Sequence, residues 1–395
     1  MRGTGRLRVL LVVENCPFVR DPRVKREART LYSAGCQVSV ISPSASGAWF
    51  SRQYVNEVVL YTFRSMAGLG YVGEYVCATM AIAMLSFLVL WREGFDLIHV
   101  ANPPDTLVPT VAIFKIFGKR IVYDQHDLSP ELFQAKFART ASFIPILIWL
   151  ERWSYRLADH VIVTNESYKK IAQDRGGIPA SKITIVRNGP DLTGAEGAET
   201  DIDLRALAKN LILYAGNVSS QDGLDILCRI LAILRHDLHR EDFCCIVVGD
   251  GDALPAVEDL ARKCRIDDKI WFTGWIDDSK RYLRYLNTGD ICVAPDPPTS
   301  YNNQSTFIKI LDYMGAGKPI VAFDLVETRF SAQDSALYSH NGSEREFAEL
   351  LVEVMDNPSL RNELGERGKN RILNELAWGF SAAHLMSAYS VCLRS

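Results

Sequence analysis

The sequence predicts two tandem α/β domains, each built on a doubly wound, mostly parallel sheet. Three observations lead there. Short β-branched apolar runs alternate with amphipathic stretches of helical period along nearly the whole chain. The runs end in glycines or polar residues, as strands do when they open into loops. The rhythm lapses once, in the acidic stretch 194–207 (GAEGAETDIDLRAL), and then restarts.

Leu7–Val13 (LRVLLVV) is a buried parallel strand by composition. Asp21-Pro22 opens a helix, Asp as N-cap and Pro at the first position, and Gly35 ends it. Gln37–Ser42 completes a β-α-β unit. Strands follow at Val58–Phe63, Asp96–Val100, Arg120–Tyr123, His160–Thr164 and Lys182–Val186. Helices are expected over Tyr75–Trp91, Thr106–Phe117 and Ala141–Leu157. After the lapse, strands are expected at Leu211–Tyr214, Cys244–Val248, Lys269–Phe272, Asp290–Ala294 and Pro319–Phe323. The expected domains are 1–196 and 207–376, with 377–395 a helix returning to the first.

The chain has 395 residues, which at about 150 per domain suggests two or three domains. Its 48% hydrophobic and 23% charged residues exclude a disordered or fibrous chain. A net charge of −3 excludes the basic footprint of a general nucleic-acid binder. The nine cysteines have no repeated spacing, so the thiols are taken as reduced and the compartment as cytoplasmic. Tyr75–Trp91 (YVCATMAIAMLSFLVLW) carries no charge and approaches the lower length limit of a membrane span. It sits inside an α/β domain, where a span would take the sheet apart. The expectation is a helix either buried under the sheet or lying in a membrane surface.

The residues just after the strands carry the candidate chemistry, because ligands of such folds bind at strand carboxyl ends. Asp124-Gln-His126-Asp127 follows a strand, and a histidine between two acids suits general-base or sugar-hydroxyl contact. The bland alternative is a helix start at Ser129-Pro130-Glu131. Gly249-Asp250-Gly251 and Thr273-Gly274-Trp275 are tight turns or close approaches of backbone to ligand. Asp250-Gly-Asp252 could hold a divalent ion with a diphosphate, and a plain turn is the other reading. No strong metal site is read, and no Walker loop or GxSxG elbow occurs. The GxGxxG at Gly68–Gly73 lies too far behind a strand for a dinucleotide fingerprint and reads as a loop.

Asn302–Ala322 is the densest stretch. Ser305 or Thr306 is expected to cap a helix running to about Gly315, whose N-terminus would take a phosphate. Lys309 falls near its first turn, where a bound anion would offset the unfavourable cation, and Asp312 lies one turn on. Arg20, Arg23, Lys25, Arg26 and Arg29 form a basic run: a solvated face, or a patch for phosphates or anionic headgroups.

Taken in order, several pieces resemble the family-four GT-B glycosyltransferases, retaining and sugar-nucleotide-dependent enzymes of cell-surface glycan synthesis. They are Asp21-Pro-Arg-Val24 with Arg26-Glu-Ala28, His126-Asp127 with Pro130-Glu131, Val186-Arg-Asn-Gly189, Val248-Gly-Asp-Gly251, Phe272-Thr-Gly274, and Asp312-Tyr-Met-Gly-Ala-Gly-Lys-Pro319. The stretch from Leu150 to Ile162 is similar to a particular subgroup. The resemblance implies two Rossmann-like domains facing a cleft. It implies a donor site on the second domain: Gly216 and Asn217 after its first strand, Gly249 and Asp250, Trp275 and Ile276 near the base, Ser305 and Thr306 at the diphosphate, and Asp312 on the ribose. His126 would contact the donor sugar, and Arg20, Arg23, Asp127 and Glu131 would lie on the acceptor side. No cofactor or metal is implied.

Two departures stand out. The first glutamate of the family's paired motif is here Gln304, and the usual Arg and Lys after the second domain's first strand are absent. Lys309 is the natural substitute at the diphosphate, with Arg187 helping. The implied reaction is retaining transfer of a hexose or N-acetylhexosamine, with UDP the expected nucleotide. The acceptor is expected to be lipid-linked or a cell-surface glycan, and the enzyme a peripheral one at the cytoplasmic face of the membrane. A sugar-nucleotide 2-epimerase and a non-catalytic sugar-nucleotide-binding membrane partner are the alternatives.

Overall fold

The computed structural model describes residues 6–66, 70–136, 141–191 and 200–394. The chain divides into two compact units, Met1–Arg187 with Gly379–Ser395, and Asn188–Trp378. The division falls at Arg187–Asn188, whereas the acidic stretch begins at residue 194; residues 192–199 lie outside those described, as does Gly68 of the glycine motif.

The first unit holds eight strands: β1 (Arg8–Val12), β2 (Gln37–Pro43), β3 (Phe50–Val55), β4 (Val58–Phe63), β5 (Leu97–Ala101), β6 (Arg120–Gln125), β7 (His160–Val163) and β8 (Ile183–Ile185). Their order is β3-β4-β2-β1-β5-β6-β7-β8. All pairs are parallel except β3 with β4. The sequence misses β3 because it is a mostly exposed edge strand (FSRQYV) with no apolar run.

Five helices of this unit matter below: α1 (Pro22–Ser33), α2 (Gly70–Arg92), α3 (Leu107–Val111), α4 (Ser129–Lys136) and α5 (Ile144–Leu157). α1 begins as expected: the Asp21 side chain accepts from the backbone of Arg23 and Val24, with Pro22 at the first position. The expected helix to Phe117 is α-helical only to Val111 and then tightens to a 3-10 turn over Ala112–Phe117.

α2 packs on β2 and β4 and touches α3. Ala78, Ile82, Leu85 and Val89 form its buried stripe at i, i+4, i+7 and i+11. Glu93, just past its end, ties it to the sheet by accepting from Tyr61 Oη and Arg52. Gly73–Arg92 and Pro358–Arg394 are long and apolar enough to cross a membrane by length and composition alone. For α2 the buried stripe and the Glu93 tie make it part of the domain.

The second unit holds β9 (Asn210–Ala215), β10 (Phe243–Val248), β11 (Ile270–Gly274), β12 (Ile291–Ala294), β13 (Ile320–Phe323) and β14 (Ala336–Ser339). The order is β11-β10-β9-β12-β13-β14, with parallel pairing. Apolar side chains fill both faces of this sheet, which is why its strands read as continuous hydrophobic runs. β14 (ALYS) is too short to register as a run. None of the nine cysteines forms a disulfide.

Candidate functional site

In each sheet the strand order reverses direction once: beside β1 and β5 in the first unit, beside β9 and β12 in the second. Loops leaving such switch points form the ligand crevice of a doubly wound sheet.

In the first unit the loop after β6 carries His126, and a fully buried amide holds that loop. Asn102 Oδ1 accepts from the backbone N–H of His126 (2.7 Å) and Asp127 (3.2 Å), and its Nδ2 donates to the Asp127 carbonyl (2.8 Å). His126 Nε2 lies 2.7 Å from Asp124 Oδ2. Arg23 donates to both Asp124 oxygens through Nε (3.0 Å) and a terminal nitrogen (2.8 Å), and to the Val186 carbonyl (2.8 Å). His99 Nε2 stands 3.3 Å from Asp124 Oδ2, and its Nδ1 meets Tyr389 Oη of the C-terminal helix at 2.7 Å.

The electrostatics of this cluster balance internally. Burial alone would raise Asp124, but the charges of Arg23 and His126 hold it well below the usual carboxylate range. Burial and the neighbouring Asp124 push Glu27 well above its ordinary value, so Glu27 resists ionising. Burial lowers His99, which stays neutral. Arg23 and Asp124 then cancel. His126 Nε2 faces both Asp124 Oδ2 and, at 3.0 Å, the Nε–H of Arg23, and these two partners fix the ring. Among the described residues one group, Glu27, His99 and Asp124, brings metal-ligating atoms within 4.8 Å of one another. Arg23 already supplies the positive charge there.

This corrects the sequence reading of Arg23. It is 3% exposed and ion-paired inside the domain, so it is no part of a phosphate or headgroup patch. Helical period explains the difference: Arg23 and Glu27 fall on the inner face of α1 with Val24, Ala28 and Leu31. Arg20 is exposed, in the turn before α1. Ser129 does start a helix, α4, with Glu131 in its first turn; Arg175 pairs Glu131 at 2.7 Å and the buried Glu151 at 2.6 Å. Asp127 is half-buried.

One carboxyl at the first switch point escapes sequence reasoning because it resembles any polar strand terminator. Glu14 follows β1, and burial, then the charge of Glu74, raises it from an ordinary value of 4.5 to about 7. Above its unfolded value the unfolded chain ionises while the folded group resists, so stability falls as pH climbs from about 4.5 to 7. Glu14→Gln is expected to match the parent chain at pH 4 and exceed it by about 2–3 kcal/mol at pH 8, measured by urea unfolding. Equal stability at both pH values would refute the raised carboxyl.

In the second unit the loops after β9, β10 and β11 knit together. Gly216 N–H donates to the Val248 carbonyl, Val218 N–H to the Asp250 carbonyl and Gly249 N–H to the Gly274 carbonyl. A Cβ on Gly249 would stand 1.8 Å from the Gly216 carbonyl oxygen, and one on Gly251 2.2 Å from that of Val218. These glycines permit backbone to meet backbone, so loop packing explains them before any ligand does. Asp250 accepts from the Gly251 N–H in a turn and is exposed. Trp275 is 54% exposed with its indole N–H on Asp277, and Ile276 packs toward the core.

The helix expected from Ser305 or Thr306 begins later. Its range is Ile308–Gly315, its N-cap is Phe307, and no side chain caps it. A short helix Ser300–Gln304 precedes it, and Ser305 ends that helix, its buried hydroxyl donating to the Tyr301 carbonyl. Gln304 and Thr306 are half-buried in this connection, with Thr306 Oγ1 3.5 Å from Glu327. The Ile310 N–H donates to the Phe307 carbonyl, and the uncapped start leaves the N–H groups of Ile308 and Lys309 for an anion. Asp312 is half-buried and accepts from Tyr282 Oη at 3.0 Å.

Lys309 also differs from expectation. Its ammonium is buried, 2.7 Å from Asp296 Oδ1 and 4.0 Å from Asp222, over the rings of Tyr214 (4.7 Å) and Phe307 (5.0 Å). Lys309 donates to Tyr214 Oη, which donates to the Asn217 carbonyl at 2.6 Å. The lysine therefore braces the loop after β9 from beneath. Burial raises Asp296 to about 6 against the pull of Lys309. Asp296 stands at the end of β12, where only the fold shows it to face Lys309. Arg187 ends the first unit, half-buried.

Comparisons with known proteins agree with this architecture. The model of Glycosyltransferase Family 4 matches residues 23–193, and that of Glycosyl transferases group 1 matches residues 209–357. The chain is 21% identical over 300 residues to the chitobiosyldiphosphodolichol beta-mannosyltransferase of Candida albicans, covering 70% of this chain and 65% of that one. It is 21% identical over 234 residues to the alpha-D-kanosaminyltransferase of Streptomyces kanamyceticus, covering 56% and 58%. The chain thus spans less than two thirds of the length of these curated relatives. In fold it is similar to sucrose-phosphate synthase from Thermosynechococcus elongatus (TM-score 0.79, 16% identity, 98% and 100% covered). It is also similar to Anabaena HepE in complex with UDP and glucose (TM-score 0.72, 14% identity, 98% and 100% covered).

Proposed function

Because the chain belongs to the family-four glycosyltransferases and has their two-domain GT-B fold, we propose that it moves a sugar from a nucleotide-sugar to a glycan or lipid-linked acceptor. One observation carries this reading: the two family models fall one on each compact unit, and each unit keeps polar candidates at its own switch point.

The second unit is the donor side. The uncapped helix at Ile308 supplies backbone N–H groups for a diphosphate. Those N–H groups and the helix dipole stabilise the charge that develops as the nucleoside diphosphate leaves. Asp312 is the ribose acid and Trp275 the neighbour of the base. Uridine is the expected base, a choice supported by the solved neighbours crystallised with UDP. The sugar is a hexose or N-acetylhexosamine.

The first unit is the acceptor side. Its fixed histidine, His126, offers its ring to a sugar hydroxyl. Retention by front-face attack, with the departing phosphate taking the acceptor proton, fits this set of groups, and the transfer needs no metal. The acceptor is lipid-linked, and the enzyme works at the cytoplasmic face of a membrane.

Incubation with labelled UDP-sugars and a membrane lipid extract tests the reading. Label is expected in the lipid phase, undiminished by EDTA. Release of altered free sugar, or binding without turnover, would overturn it.

A further inference from the structure

α2 is apolar on two faces, and the protein covers one of them. Opposite the buried stripe runs a second: Val76, Met80, Met84, Phe87 and Trp91, at i, i+4, i+8, i+11 and i+15, exposed by 47 to 81%. An apolar stripe of five large side chains left outside is unusual for a domain that has finished packing.

The stripe does not stop at α2. The Phe87 ring lies 4.6 Å from Phe114, which lies 6.4 Å from Phe117, at the end of the 3-10 turn where Ile116 is 77% exposed. α3 then packs against α5. On α5, Ile146, Trp149 and Trp153 repeat at i, i+3 and i+7 and are again exposed. Three elements linked through α3 thus show solvent an apolar outer surface.

Charge decides what covers it. Residues 70–92, 107–120 and 141–157 contain six Lys or Arg against two Glu, while the whole chain carries −3. Of those two acids, Glu151 is buried against Arg175. Lys115 and Arg120 are paired with Asp159, and Arg92, Arg152 and Arg156 are exposed on the same elements. Two copies meeting through this face would set these cations against each other. An anionic headgroup layer meets them with opposite charge and takes up the apolar side chains. Tryptophans at the rim of such a surface match the preference of the indole ring for the membrane–water boundary.

We propose that the outer faces of α2, Ala112–Phe117 and α5 form one surface that seats on anionic lipid, with Trp91 and Trp149 as interfacial anchors. The proposal rests on the lipid-linked acceptor of the functional reading and adds the face through which the enzyme reaches it. The helices lie in the headgroup layer and stay packed on their sheet, because Ile82, Leu85 and Val89 are spent on that sheet. The acceptor unit is thereby held where a lipid-linked substrate presents its head.

Vesicle flotation of the full chain tests this without any sugar donor. With phosphatidylcholine–phosphatidylglycerol vesicles the chain is expected to float, and to float less with pure phosphatidylcholine or at raised salt. The double variant Met84→Glu/Trp91→Glu is expected to lose at least about tenfold in vesicle affinity with an unchanged melting temperature, since both side chains face outward. Ile202→Glu, equally exposed on the other unit, should float like the parent. A parent chain that stays at the bottom, or a double variant that floats equally well, overturns the proposal. So does a dimer, seen by light scattering, that the double variant dissolves while neither protein floats. A chain that floats and transfers no sugar retains this surface and fails the functional reading; one that transfers sugar without floating does the reverse.

Discussion

Lys309→Met is expected to lower the melting temperature of the chain by roughly 10 °C, corresponding to about 3–5 kcal/mol. The loss follows from what is left behind. Asp296 is 1% exposed and 2.7 Å from the ammonium, and without Lys309 it becomes an uncompensated buried carboxylate near Asp222. The Tyr214–Asn217 link loses its support too, so UDP, the probe of the donor loop, should give a smaller thermal shift. Removing both charges in Lys309→Met/Asp296→Leu should recover most of the melting temperature. A single variant that melts like the parent would show that the pair is not a buried strut. A stable double variant that still binds UDP normally would show that Lys309 makes no direct contact with the diphosphate.

The second large effect separates two jobs within the cluster of the first unit. Arg23→Met leaves Asp124 without its main counter-charge and is expected to cost about 3–5 kcal/mol in urea unfolding. Asp124→Asn is expected to be milder in stability, because Glu27, whose ionisation Asp124 opposes in the parent chain, stands 3.1 Å from Arg23 and can take it over. Its cost should appear in turnover. His126 loses the carboxylate that fixes its ring, and a misplaced group near the chemistry costs about 100-fold in kcat. Equal stability losses in the two variants, with no separate loss of kcat in Asp124→Asn, would refute this division of labour.

Much of the fold was legible in the sequence. Parallel strands buried on both faces are continuous apolar runs, and nearly every one of them was readable. α1 was legible down to its cap, because Asp-Pro is a local signal that tertiary context does not change. β3 and β14 were not, since an exposed edge strand and a four-residue strand carry no period. The helix expected from Ser305 begins at Ile308 because a short preceding helix consumes that serine as its end.

The candidate site was legible only in part, and the reason is pairing across long sequence distances. The strand-end loops, His126 and Asp312 could be picked out because function at a switch point needs polar residues directly after strands. What they touch could not. Arg23 and Asp124 are 101 residues apart, and Tyr389 reaches His99 from 290 residues away. By itself the sequence determined two doubly wound domains and the loops in which chemistry sits, because apolar period and turn residues are local properties. Only the tertiary structure decided that two prominent cations, Arg23 and Lys309, are spoken for by buried acids. It also decided that α2 keeps one apolar stripe inside and leaves another outside, since burial and ion pairing are properties of packing that no local pattern records.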